Sequence, residues 1–173
     1  PPVEVRSDMC KLCQAAGLSD NEAVQKGKLV STLVLWVSKN APVSKVIQGT
    51  LALAKSLKCQ SELAVEHAIR AIAIHMSDEG KTPEEIGKAA LAAASAGKLP
   101  AELATEVAAS VVACVVATAK ARSLRQSGGG SIADVQNAAV AAAMACGLSS
   151  SAAAQRAACV SSACGKLAGL SRK

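Results

Sequence analysis

Alanine fills 38 of the 173 positions, and Trp36 is the sole aromatic in a chain without tyrosine or phenylalanine. That pairing narrows the possible folds more than any motif does. Strands of sandwiches and barrels draw on β-branched and aromatic side chains. Alanine instead has the highest helix propensity and loses no side-chain entropy on burial. No segment shows sustained period-2 alternation, so the chain reads as all-α. With 51% hydrophobic and 18% charged residues it has ample apolar surface for a core, and its length suits one domain.

Start and stop signals divide the sequence. Ser19 with Glu22 and Thr82 with Glu85 form capping boxes, and Pro83 sits at a first helical position. Pro42, Ser61, Pro100, Ser131 and Ser149 mark further starts, while Gly17, Gly97 and Gly147 mark stops where a left-handed residue closes a helix. Eight helices are predicted, over 7–16, 20–39, 43–58, 61–78, 83–96, 100–125, 132–146 and 150–169.

Sliding the chain on itself groups them in pairs. At an offset of 40, Glu62-Leu63-Ala64 falls on Glu102-Leu103-Ala104, Leu51 on Leu91 and Lys58 on Lys98. At an offset of 130, Gly17-Leu18-Ser19 falls on Gly147-Leu148-Ser149, and at 49 Leu99 falls on Leu148. The predicted unit is a hairpin of about 40 residues, repeated over 6–39, 42–79, 82–125 and 131–170, with residues 126–130 (Gln-Ser-Gly-Gly-Gly) as a flexible linker. Small side chains let helix axes approach closely, so stability must come from many close contacts. A single domain in which the hairpins form a closed alanine-rich bundle is expected, with a short open α-solenoid as the alternative.

The net charge of +6 is one-sided. Before Lys120 the basic and acidic residues cancel. From there on, Lys120, Arg122, Arg125, Arg156, Lys166, Arg172 and Lys173 face Asp134 alone. Lys120, Arg122, Arg125, Arg156 and Lys166 are therefore a candidate basic interaction face for an acidic partner. Nucleic acid is disfavoured, because no aromatic interleaves these positions and no dense basic cluster occurs. The longest apolar run, Val107 to Ala119, is shorter than the roughly 20 residues a membrane span needs, so it reads as a helix buried on all sides.

Seven cysteines favour an oxidising compartment over the cytosol. The start at Pro1-Pro2 without methionine suggests processing, as in a secreted or organelle-lumen protein. Cys10, Cys13, Cys59, Cys146, Cys159 and Cys164 are candidates for disulfides or buried thiols, and Cys114, within Val-Val-Ala-Cys-Val-Val, reads as a core residue. Cys10 and Cys13 form one Cys-x-x-Cys pair without the second pair or spaced histidines that zinc requires. His67 and His75 share a predicted helix but have no nucleophile motif beside them. Trp36 reads as a core anchor. Gly128-Gly129-Gly130-Ser131 lacks the lysine of a phosphate-binding loop. No cofactor, metal or enzymatic activity is expected. The expected function is a structural or interaction scaffold that assembles with other protein chains, either copies of itself or subunits with an acidic surface. The alternative is a carrier holding an apolar ligand or pigment between its helices.

Overall fold

A computed structural model describes the backbone of residues 2–170, and the side chains of all of these except residues 2–6, 9 and 167. Eight helices follow one another: α1 (Pro2–Ala15), α2 (Asp20–Ser38), α3 (Val43–Ser56), α4 (Ser61–Asp78), α5 (Pro83–Ala96), α6 (Ala101–Ser127), α7 (Ile132–Ala145) and α8 (Ser150–Leu167). The protein is all-α, its helices packed against one another. The odd-numbered helices are each 14 residues long, and the even-numbered ones run from 18 to 27.

The periodicity of the sequence reappears in what is buried. In α3 the buried residues are Val46, Ile47, Thr50 and Ala54; forty positions on, in α5, Ile86, Gly87, Ala90 and Ala94 are buried. Forty-nine further, Val135, Ala139 and Ala143 of α7 fall on Ile86, Ala90 and Ala94, and Ala142 falls on the buried Ala93, while the counterpart of Gly87 is the half-buried Gln136. Likewise Ala64, Ala68, Ile69, Ile72 and Ala73 of α4 match Ala104, Ala108, Ala109, Val112 and Ala113 of α6. A line of small or branched residues on each of these helices thus builds one interior face, copied from hairpin to hairpin.

Among the described residues, each helix packs only on those one or two places away in the chain. α2, α4, α6 and α8 form one layer, α3, α5 and α7 lie in the other, and among the described residues no contact joins the first hairpin to the last. The order of packing is therefore that of the open, stacked alternative rather than of a ring closed on itself. Stacking suffices because alanine faces let each hairpin bury its neighbour's surface without a common centre.

The turns share one construction. Gly17, Asn40, Lys58, Gly80, Lys98, Gly128, Gly147 and Gly169 take positive φ just after a helix. The amide three places beyond the last helical residue commonly reaches back to a carbonyl five residues earlier, as Leu18 does to Cys13 and Leu99 to Ala94. Gly97 is the exception to the expected stops: it remains right-handed at φ −73, and Lys98 takes the left-handed conformation at φ 59. Ser61 is the first helical residue, behind an N-cap at Gln60. A third capping box joins Ser131 and Asp134.

The linker is shorter than expected. α6 includes Gln126 and Ser127 and closes on left-handed Gly128, because Gly129 N–H reaches the Leu124 carbonyl and completes the cap. A lysine in the left-handed region carries a steric cost of about 1–2 kcal/mol that glycine does not. Lys98→Gly should therefore stabilise the protein by about 0.5 kcal/mol, after the greater freedom of glycine in the unfolded chain is subtracted. A higher urea midpoint checks this; an unchanged or lower one contradicts it.

Candidate functional site

α6 lies between α4 and α8 in the even-numbered layer, and its outward stripe carries Glu106, Ser110, Cys114, Thr118, Arg122 and Arg125. Grooves run along both sides. Toward α4, Arg70, Ile74, Ser77 and Asp78 face Cys114, Val115, Thr118, Ala119 and Arg122 across an open space of about 190 Å³. Nearer the helix starts, Glu66 and Arg70 face Glu106, Val107, Ser110 and Val111. Toward α8, Thr118, Ala121, Arg122 and Arg125 face Cys164 and Ala168 across about 240 Å³. Thr118 and Arg122 line both sides.

The expected basic face is divided by this geometry. Lys120, Arg122, Arg125 and Lys166 are exposed. Arg156 is not available in the same way: its guanidinium donates to Ser110 and forms an ion pair with Glu106, which ties α8 to α6. Arg172 and Lys173 lie outside the described residues. Arg70 pairs with Glu66 one turn earlier at 3.1 Å.

No disulfide occurs among the described residues; all seven cysteines carry free thiols. Cys13 and Cys146 are buried, Cys10, Cys59, Cys114 and Cys164 are half-buried, and Cys159 is exposed. The Cys10 thiol donates to the Ala23 carbonyl at 3.4 Å, so the pair with Cys13 serves the packing of α1 on α2. Cys59 lies 3.8 Å from the Leu57 carbonyl. The Cys146 thiol donates to the Gly87 carbonyl at 3.4 Å, and burial pushes its pKa up to about 11, which keeps it protonated and unreactive. The Cys164 sulfur lies 3.5 Å from the Thr118 hydroxyl. Cys114 departs from its expected core position: it is half-buried on the groove side of α6. The reading of residues 107–119 as buried on all sides is corrected with it.

His67 and His75 do not form a site together. His75 bonds Asn40 at 2.8 Å and lies 3.3 Å from Glu79, linking the end of α4 to the turn after α2. His67 is half-buried, with its Nε2 enclosed and without a hydrogen-bond partner. Burial lowers its pKa, Arg70 and Lys26 act in the same sense, and Glu66 opposes them. The folded state therefore binds fewer protons at this ring than the unfolded chain does, so stability is complete above the ordinary histidine pKa and declines as pH falls through 6.5. The urea midpoint should drop between pH 7.5 and about 5.5, and His67→Leu should flatten that slope. An equal slope in the variant would remove His67 as its cause.

Trp36 packs at the edge of the core, its ring against Gly49. Among the described residues no three His, Cys, Asp or Glu side chains gather as metal ligands would. α6 is long and apolar enough to cross a membrane by length and composition, and half of its apolar window is buried inside the fold.

The groove stripe escaped sequence reading although a signal for it exists. Glu106, Ser110, Cys114, Thr118 and Arg122 recur every fourth residue through an otherwise apolar helix, which places polar groups on one line. Compared with protein-family models, curated proteins and solved structures, the chain matches none.

Proposed function

We propose that this protein is a non-enzymatic scaffold of stacked helical hairpins that mediates protein–protein assembly. The observation that carries this reading is the grooved, open layer formed by α4, α6 and α8. It presents side chains from three successive helices on one face, as repeat proteins do when they hold a partner along a stack. The grooves along the middle and end of α6 are open and smaller than the roughly 300–1,000 Å³ of a small-molecule pocket. The larger space at the start of α6, about 490 Å³, is open and lined by Ala101, Glu102, Thr105 and Glu106, a lining poor in apolar walls, which favours the scaffold over the apolar carrier. Its partners would be a second copy of the chain or a subunit with an acidic surface, in keeping with the excess of positive charge.

The test is purification of the native protein at low salt, with cross-linking, size-exclusion chromatography and intact mass. A scaffold elutes with partner chains or as an oligomer, and cross-links fall on α4, α6 and α8. Elution as an empty monomer without cross-linked partners, or as a monomer bearing a small apolar molecule, overturns the proposal.

A further inference from the structure

We infer that the C-terminal half of the face centred on α6 docks an acidic segment of a partner protein that also carries an aliphatic side chain. This rests on the scaffold reading and assigns its site. Charge along the face is zoned. In the half nearer the helix starts each arginine is answered, Arg70 by Glu66 and Arg156 by Glu106. In the other half Arg122 and Arg125 make no ion pair or hydrogen bond among the described residues, although Asp78 lines the same groove as Arg122. Arg125 stands in the last turn of α6, where a cation offsets the helix dipole. Arg122 lies a turn earlier, where that effect has faded, and needs another explanation.

The second observation is the floor. Ile74 is 46% exposed and faces Val115 across the groove below Arg122. A purely apolar occupant would cover Ile74 but desolvate the guanidiniums without a counter-charge, which is costly. A nucleic-acid backbone would answer the charges and leave the aliphatic floor unfilled. An acidic segment with one leucine-like side chain meets both needs, and the groove has room for such a side chain.

The test is fluorescence anisotropy with the full chain and a labelled peptide of about twelve residues in which Asp and Glu alternate with Leu and Ser. Wild-type protein binds this peptide more weakly as salt rises, and does not bind the same peptide with Lys replacing its acids. Reversing both charges (Arg122→Glu with Arg125→Glu) weakens binding about tenfold, and Ile74→Ser weakens it several-fold. These side chains are exposed, so circular dichroism should stay unchanged; if the charge reversals lose helix, Arg122→Gln with Arg125→Gln replaces them. No binding by wild type, equal binding by the charge-reversed protein, or tighter binding of duplex DNA or of phosphatidylserine vesicles overturns the inference. Cross-linked native partners that persist in the charge-reversed protein leave the scaffold intact and remove this site. Absence of any partner for wild type removes the scaffold itself.

Discussion

Gly87→Leu should destabilise the protein by at least about 3 kcal/mol, lowering its melting temperature by roughly 10 °C. Gly87 is buried in α5, and a Cβ placed there would lie 2.5 Å from the Ala142 carbonyl oxygen and 2.7 Å from the Ala145 Cβ. The obstacle on α7 is backbone, which cannot turn aside as a side chain can. Gly49 offers the contrast, since its added Cβ would meet only the Trp36 ring, and so does Gly165 against Ile132. Even Gly87→Ala, which gains about 1 kcal/mol of helix propensity, should come out net destabilising. Gly129→Ala is the control, because a Cβ there meets nothing within 4 Å. Thermal melts supply the first measurement. The second is the labelling rate of Cys146, whose thiol bonds the Gly87 carbonyl and is fully covered. It should rise in Gly87→Leu as α5 and α7 part. A melting temperature within about 2 °C of wild type would mean that the helices are not held at this separation.

The same glycine shows which features of the fold can be read from the amino acids alone. The offset of 40 aligns Gly87 with Ile47, and both are buried, so the position is recognisable as interior. The sequence does not reveal that one copy is filled by isoleucine and the other by the backbone of α7. That depends on which helices become neighbours, a property of the stacking order. The helix ends at the turns were legible because each turn carries its own chemistry, such as Gly-Leu-Ser at residues 17–19 and Lys-Leu-Pro at 98–100, whereas the first helix begins at Pro2 and not at residue 7, where no turn marks the start. Lys58 and Lys98 coincide in the repeat, and both adopt positive φ, a feature hidden at Lys98 by expecting its neighbour Gly97 to take the left-handed place. Closure against stacking was not legible. An alanine face looks alike whether it meets a neighbour one hairpin away or one across a ring. Cys114 was hidden for a related reason: flanking valines made its surroundings apolar in sequence, while the line through Ser110, Thr118 and Arg122 placed it at the groove. The basic residues were identified as a group, but only coordinates show Arg156 already engaged by Glu106.

Ile69→Ala should cost about 4 kcal/mol, near the upper end for deletion of a buried aliphatic side chain. Ile69 is fully buried in α4 and is one of the few large side chains in a core otherwise dominated by alanine. Cavities shrink when neighbouring side chains swing into them. Alanines such as Ala64, Ala68, Ala90 and Ala108 of the same core have no rotamers to offer, so the space left by the removed atoms stays open. Ile69→Val should cost only about 1 kcal/mol, and Ile74→Ala, at an exposed site on the same helix, less than that. The stacked order adds a spatial signature. In a closed ring the loss would spread to every helix, whereas here α4 packs on α2, α3, α5 and α6 and not on α7 or α8. Hydrogen exchange in Ile69→Ala should therefore accelerate most in α2 to α6 and least in α7 and α8, because stability in a stack is carried by contacts between adjacent units. Uniform acceleration across all eight helices would show that they unfold as one body, and the nearest-neighbour account of this fold would have to be given up.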